Sequence, residues 1–269
     1  KALRWGYICY IAAIVLLVFT LVKGSIGMGG QRWIDLGIVK FQTSELAKLF
    51  SPAFITYYFY SHRDYFDNTW YDFIPILIPL GISALLVLKQ PDLGTAIVLT
   101  ASGLITLWLA GLSKKFFIYG GLCALLAAPA LWYMLKPYQK ARVLVFLGQG
   151  QKNKERYQIE QAKIAIGSGG LCGKGFLQGT QNKLRFLPEG RTDFIFAVLC
   201  EEAGLIGALI MLILYVMLFI RLFSVAQTIK PPDPKLFAAG LLLPIMLSGI
   251  INICMVLGLL PIAGVPLPF

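Results

Sequence analysis

The chain has 269 residues, of which 58% are hydrophobic and only 14% charged, and its net charge is +11. This composition excludes an ordinary soluble globular protein. The apolar runs are continuous rather than alternating, which also disfavours a membrane β-barrel. We therefore predict an all-α integral membrane protein, a polytopic helical bundle with a single domain over residues 1–269.

Seven stretches of the chain approach the roughly 20 apolar residues that a helix needs to cross a bilayer. In chain order they are 7–22, 46–60, 73–88, 95–112, 116–135, 194–219 and 236–260. The first lacks a small-residue cleavage site, so we expect no cleavable signal peptide. It also begins close to the start of the sequence, which leads us to expect a piece of a longer protein.

Two short polar clusters lie beside these spans, at a depth where charge is costly and usually functional. Glu45 and Lys48 follow Ser44, a candidate helix cap, and lie three residues apart, so they share a helix face and can pair. A simple ion pair at the membrane surface explains them equally well. The second cluster, KQPD at residues 89–92, is typical of a tight turn between two spans.

Residues 136–193 form the longest connection between two predicted spans. Eleven Lys and Arg against four Asp and Glu give it a net charge of +7, and five glycines lie between residues 167 and 175. Because glycine lets backbone N–H groups approach phosphate oxygens, we interpret the segment as an anion-binding loop at a membrane surface. A flexible basic loop near anionic lipid heads is the alternative. No nucleic-acid-binding fold accompanies the charge, which favours a phosphorylated lipid over nucleic acid.

The other connections carry unequal positive charge, with eight Lys and Arg on the side of the N-terminus and five on the opposite side. Cytoplasmic loops are enriched in Lys and Arg. The N-terminal side is therefore predicted to be cytoplasmic, and the 136–193 segment to face outward. If the 136–193 segment were counted by the same rule, the predicted orientation would reverse. The two predictions agree if the segment is basic because it binds anions outside the cell.

Asp193 begins the sixth predicted span and is the first candidate for chemistry. The single histidine, His62, lies in a polar turn, so proton transfer would depend on a carboxylate, Lys or Tyr. Asp193 and Glu201 share one broad face of the predicted helix. A carboxylate at a helix N-terminus also has a structural explanation through the helix dipole.

The five cysteines show no metal-binding spacing and are interpreted as packing residues.

Four runs of sequence resemble motifs of one known family. They are GGQRWIDLGIVKFQTSELAK at 29–48, QPDLGTA at 90–96, the run at 161–207 that begins QAKIAIGSGG and ends EEAGLIG, and GLLPIAGVPLPF at 258–269. The family is SEDS, named for shape, elongation, division and sporulation, and the motifs resemble its RodA-like branch more than its FtsW-like branch. SEDS proteins are membrane glycosyltransferases that polymerise lipid II into peptidoglycan, working with a class B penicillin-binding protein. They have about ten spans, so the resemblance implies that the first two and the last are absent here.

The resemblance also implies roles for individual residues. The family's essential Asp in TDFIFA falls on Asp193. The Glu and Lys of its SELAK helix, which line a central cavity, fall on Glu45 and Lys48, and the Trp of RWIDLG falls on Trp33. By this resemblance the chain acts in cell-wall elongation and shape maintenance, as a multi-pass protein of the bacterial cytoplasmic membrane.

As a mechanism, we expect inverting glycosyl transfer on the outer face, with Asp193 as general base. Cations for substrate binding would come from Lys163, Lys174, Lys183, Arg185 and Arg191. No cofactor is obligatory; a Mg²⁺ or Mn²⁺ ion bridging the pyrophosphate is compatible, although no metal cluster is evident. Two alternatives remain open, a lipid II flippase with Glu45, Lys48 and Glu201 as its polar path, and a non-catalytic membrane scaffold for a penicillin-binding protein.

Overall fold

The computed structural model describes residues 2–27, 30–35, 37, 40–62, 70–135, 137–149, 154–183, 186–187, 190 and 192–268. Contacts group the chain into two compact units, one of Lys1–Leu122 with Leu222–Leu247 and one of Cys123–Arg221 with Ser248–Phe269. The helices are α1 (Ala2–Lys23), α2 (Thr43–Ser61), α3 (Ile74–Lys89), α4 (Leu93–Leu109), α5 (Lys114–Met134), α6 (Pro137–Phe146), α7 (Lys154–Gly169), α8 (Thr180–Lys183), α9 (Ile195–Thr228) and α10 (Pro232–Val256).

Four helices in the described part of the chain are long and apolar enough to cross a membrane, namely Trp5–Lys23, Tyr71–Lys89, Ile195–Thr228 and Pro232–Val256. They match four of the seven predicted spans. The predicted span 95–112 corresponds to the shorter apolar helix α4, and the predicted spans 46–60 and 116–135 overlap α2 and α5. The hydropathy of α2 is lowered by Glu45, Lys48 and several hydroxyl residues. The predicted class, a multi-pass helical membrane protein, is confirmed.

The core of the first unit lies where α1 packs against α2. Gly6 brings the two helices together, because a Cβ at this position would lie 2.4 Å from Cβ of Ala53. Tyr10 and Phe54 stack beside this contact with their ring centroids 5.0 Å apart. The Tyr10 hydroxyl shares a 2.7 Å hydrogen bond with the Ser83 hydroxyl, which links α1 to α3. Buried apolar packing and one satisfied polar contact therefore fix three helices.

A small antiparallel sheet connects α1 to α2, with strands β1 (Ser25–Gly27), β2 (Gly30–Asp35) and β3 (Lys40–Gln42) in the order β1-β2-β3. In the β2–β3 pair, Trp33 lies opposite Gln42 and Asp35 lies opposite Lys40. The continuous apolar runs of the sequence give no sign of this sheet, because they describe only the membrane spans. Its effect is to place Trp33 at a defined register just before α2.

The second unit includes the 136–193 segment, which the sequence predicts as a loop. Its described residues include the helices α6, α7 and α8. The sequence of α7 is rich in Glu, Gln, Lys and Ala, which are strong helix formers, and the helix ends where Gly170 adopts a φ of +56°. After this segment, α9 begins at Ile195 and is interrupted at Gly204, where φ is 67° and ψ is −165°.

Candidate functional site

Asp193 lies in a turn two residues before α9, which begins at Ile195, one residue later than the predicted span 194–219. The residue is half-buried, and its neighbours Phe194 and Phe196 are 1% and 2% exposed. These two phenyl rings anchor the start of α9 in the core of the second unit. The carboxylate of Asp193 is therefore attached to a fixed point of backbone.

Asn252 on α10 holds the backbone at Asp193. Its Nδ2 donates one hydrogen bond of 2.7 Å to the carbonyl of Asp193 and another of 2.7 Å to the carbonyl of Val265. The Asn252 side chain is completely buried. A single side-chain amide thus ties the turn before α9 to the segment that follows α10, and it satisfies the carbonyls of both.

Residues 257–268, after α10, form the surface against which the other site residues lie. A Cβ on Gly264, whose φ is +66°, would lie 3.7 Å from Oδ2 of Asp193. Near the start of the same segment, a Cβ on Gly258 would lie 3.1 Å from Cε of Lys163. Nη1 of Arg142 donates a 3.1 Å hydrogen bond to the carbonyl of Ile262. One segment therefore adjoins a carboxylate, a lysine and an arginine.

The other predicted cations have different surroundings. Nζ of Lys174 lies 2.7 Å from Oε1 of Glu201 and 3.0 Å from Oγ1 of Thr180, so its charge is compensated within the protein. Lys183 is exposed at the end of α8. Arg185 and Arg191 lie outside the described residues.

The glycine-rich stretch uses its backbone N–H groups within the protein. The amide of Gly173 donates to the carbonyl of Gly169, and the amides of Lys174 and Gly175 donate to the carbonyls of Glu201 and Glu202. Each of these bonds is 2.8 to 3.0 Å long. The prediction that glycine amides bind phosphate is therefore wrong at Gly173 and Gly175, because each of these two donors already has a protein acceptor.

The remaining predicted residues lie in the first unit. Lys48 and Glu45 form the predicted ion pair, with Nζ and Oε1 2.7 Å apart. The side chain of Lys48 is 13% exposed and that of Glu45 is 54% exposed. Trp33 is half-buried on β2. An ion pair with one largely buried partner is consistent both with a polar lining residue and with the interfacial pair that the sequence also allows.

The whole chain, residues 1–269, matches the FtsW, RodA and SpoVE family of cell cycle proteins. The chain belongs to this family. Peptidoglycan glycosyltransferase MrdB of Escherichia coli K12 is 45% identical over 272 residues, which cover 98% of this chain and 71% of MrdB. The probable peptidoglycan glycosyltransferase FtsW of Nitrosomonas europaea is 36% identical over 277 residues, with 99% and 71% coverage.

Two solved structures extend the comparison to the fold. A chain of a peptidoglycan synthase complex that coordinates polymerization and crosslinking has a TM-score of 0.83 and 28% identity, over 98% of this chain and 74% of its own. Rod shape determining protein RodA of Thermus thermophilus has a TM-score of 0.66 and 26% identity, over 99% of this chain and 70% of its own. The resemblance to SEDS proteins is thereby confirmed.

Within this FtsW, RodA and SpoVE family chain, the structure joins the KQPD turn at residues 89–92 to Arg32 and Gln42, contacts that the sequence does not predict. Nε of Arg32 donates to the carbonyl of Gln90 at 2.9 Å, and its guanidinium also contacts the carbonyl of Pro91. Asp92 accepts from the Gln42 amide at 3.0 Å and caps α4 by accepting from the Thr95 amide at 3.1 Å. The sequence feature that could have indicated these contacts is the pair of family motifs containing Arg32 and Asp92, because each motif places a charge next to a predicted span.

A divalent cation beside the pyrophosphate is compatible with the sequence. Within the described ranges, no three His, Cys, Asp or Glu residues are grouped closely enough to hold an ion. A divalent cation bridging Asp193 and the substrate therefore stays a prediction.

Proposed function

We propose that this chain is a peptidoglycan glycosyltransferase that polymerises lipid II into glycan strands during cell-wall elongation and shape maintenance. The observation that carries the proposal is the 45% identity to MrdB, a peptidoglycan glycosyltransferase, over 98% of the chain. The site supports it, because a half-buried carboxylate at Asp193 stands on an anchored turn beside a segment that also adjoins Lys163.

In the proposed reaction, Asp193 acts as general base. It takes the proton of the acceptor sugar's 4-hydroxyl while that oxygen attacks the anomeric carbon of the donor, with inversion at that carbon. The bond from the anomeric carbon to the lipid pyrophosphate breaks, and the pyrophosphate leaves as an anion. Positioning supplies much of the rate in such a step, and the bonds of Asn252 and the burial of Phe194 supply that positioning here.

Negative charge gathers on the leaving pyrophosphate, so the reaction needs preorganised cations. Lys163, which lies against Gly258, and the exposed Lys183 are the described candidates, together with the predicted Arg185 and Arg191. Each such charge contributes most in the transition state, where the pyrophosphate oxygens are most negative.

The assignment includes a partner and a location. A class B penicillin-binding protein is proposed as the partner, in line with the structural likeness to a chain of a peptidoglycan synthase complex at 28% identity and a TM-score of 0.83. We also propose that the protein lies in the bacterial cytoplasmic membrane with its 136–193 segment facing outward, where lipid-linked sugars are polymerised.

A flippase would use Glu201 as part of a polar path through the helices. The Glu201 side chain is completely buried, and its Oε1 accepts from Lys174, Thr180 and Gln181. A carboxylate held by this many donors is unsuited to bind and release a moving head group. This environment favours the glycosyltransferase over the flippase.

The test is polymerisation of labelled lipid II in liposomes that carry the full-length protein and its penicillin-binding protein. Asp193→Ala is expected to lower the rate by about 100-fold to 10,000-fold, because removing a general base costs on that order. The matched control is Asp233→Asn in the first turn of α10, which should polymerise like the wild type. Equal strand formation by wild type and Asp193→Ala would remove Asp193 as the base.

A further inference from the structure

The break in α9 is repaired by a separate stretch of chain. A regular helix would bond the amides of Leu205 and Ile206 to the carbonyls of Glu201 and Glu202. At the Gly204 interruption all four of these groups bond instead to residues 170–175, at distances of 2.9 to 3.1 Å. The bonds run from Leu205 N to Gly170 O, Ile206 N to Leu171 O, Lys174 N to Glu201 O, and Gly175 N to Glu202 O. These four backbone groups, which the break removes from the helix ladder, therefore all have partners.

The side chain of Glu201 extends this connection toward α8. Its Oε1 accepts from Nζ of Lys174 at 2.7 Å, from Oγ1 of Thr180 at 2.9 Å, from the Thr180 amide at 2.8 Å and from the Gln181 amide at 3.2 Å. The Gln181 carbonyl in turn accepts from the amides of Phe186 and Leu187 at 3.0 and 3.3 Å. A chain of bonds therefore runs from α9 through α8 to Phe186 and Leu187.

Burial decides what Lys174 does in this arrangement. Glu201 is completely buried, and a buried carboxylate needs both a counter-charge and hydrogen bonds. Lys174 is the cation in contact with it in the structure, with 28% of the side chain exposed. The backbone amides of Thr180 and Gln181 supply the remaining donors.

We propose that Glu201 is a positioning residue that fixes the 170–183 segment against the broken helix, and that Lys174 is its counter-ion and not a ligand of the substrate. The consequence for catalysis rests on the proposed function: the segment carries Lys183, so holding it in place holds that cation toward the anionic lipid. The pairing of Glu201 with Lys174 itself does not depend on which reaction the protein performs.

The pair is tested by thermal unfolding of the purified full-length protein as Lys174→Met, Glu201→Gln and the double variant. Lys174→Met should lower the unfolding midpoint most, because it leaves a buried carboxylate without its counter-charge. The double variant should recover most of that loss, because the carbonyl oxygen of Gln still accepts from the Thr180 and Gln181 amides. Charge reversal, K174E with E201K, should not recover it, because an ammonium group cannot accept from those amides.

A matched control is Glu202→Gln, since the neighbouring carboxylate accepts one backbone bond, from the Leu177 amide at 3.1 Å. It should unfold close to the wild-type midpoint. If Lys174 binds the lipid pyrophosphate instead, Lys174→Met will stay as stable as the wild type but lose activity, and adding Glu201→Gln will not restore that activity. That pattern would overturn the proposal.

Kinetics separate positioning from a general loss of fold. Glu201→Gln should lower kcat per folded enzyme by about tenfold to 100-fold, because a displaced Lys183 would no longer stabilise the leaving pyrophosphate in the transition state. Partial unfolding would lower the rate only in proportion to the folded fraction, and that result would contradict the positioning role. If the wild type makes no glycan at all, the proposed function fails, and the unfolding experiment alone then decides the Glu201–Lys174 pair.

Discussion

Asn252 is the residue on which the placement of Asp193 depends most directly. Replacing it with Leu removes both donated bonds and leaves the carbonyls of Asp193 and Val265 buried without their amide donor. An unsatisfied buried carbonyl costs about 1–3 kcal/mol. We expect Asn252→Leu to lower stability by roughly 2 kcal/mol or more and to slow polymerisation by about 100-fold, because a displacement on the order of 1 Å costs that much.

The measurement pairs an unfolding midpoint with a lipid II polymerisation rate on the same preparation. Ser248→Ala, about one turn earlier on α10 and also buried, is the control for disturbing this helix. It should leave the rate near wild type. An Asn252→Leu protein that polymerises as fast as the control would show that the turn at Asp193 is held by other contacts.

The sequence predicts individual site residues only in part. Asp193 could be predicted, because a motif and a helix start both indicate it. Asn252 could not be predicted, because its two acceptors lie 59 and 13 residues away from it in the chain. Glu201 could be placed on one helix face with Asp193, but nothing in the sequence shows that Lys174, Thr180 and Gln181 bond to it.

The helix break and residues 170–175 beside it depend on glycines at positions where a side chain would not fit. A Cβ at Gly173, where φ is +78°, would lie 2.1 Å from the carbonyl oxygen of Glu202. Gly167, on α7, has no heavy atom within 4 Å of such a Cβ. We expect Gly173→Ala to unfold the protein or strongly lower its yield, and Gly167→Ala to be neutral or to stabilise by about 0.5–1 kcal/mol through helix propensity.

Folded yield from the membrane and the unfolding midpoint measure this difference. The two variants add the same methyl group to the same stretch of sequence, so each controls for the other. Equal yields and midpoints would mean that the 170–175 stretch can move away from α9 without cost, and would contradict its role in repairing the helix break.

Elements are predictable from the sequence where a strong local pattern forms them. Apolar length was enough to place α1, α3, α9 and α10, and the KQPD turn between α3 and α4 is found where it was predicted. The small sheet was missed because its three strands have only three to six residues each. The sequence does not predict the α9 break, because a glycine inside an apolar run is typical of close helix packing. Only the structure shows that residues 170–175 bond to the helix there.

At the scale of the whole molecule, composition alone determined the class. A chain with 58% hydrophobic and 14% charged residues cannot fold as an ordinary soluble domain, and the helices confirm this. The same composition does not determine orientation, because the net charge of +7 in the 136–193 segment opposes the charge bias of the short loops. A basic segment that lies outside the cell and binds anions cannot be distinguished by sequence from a basic segment that lies in the cytoplasm.

Cys172 offers a direct test of orientation, because it is exposed and lies within the 136–193 segment. If that segment faces outward, a membrane-impermeant maleimide should label Cys172 in intact spheroplasts, and permeabilising the membrane should add little at this position. Cys172→Ser separates its signal from that of Cys123, which is also exposed in the structure but lies on the apolar helix α5. Labelling of Cys172 only after permeabilisation would place the segment in the cytoplasm, where it could not act on sugars outside the membrane, and Asp193 would then lose its proposed substrate.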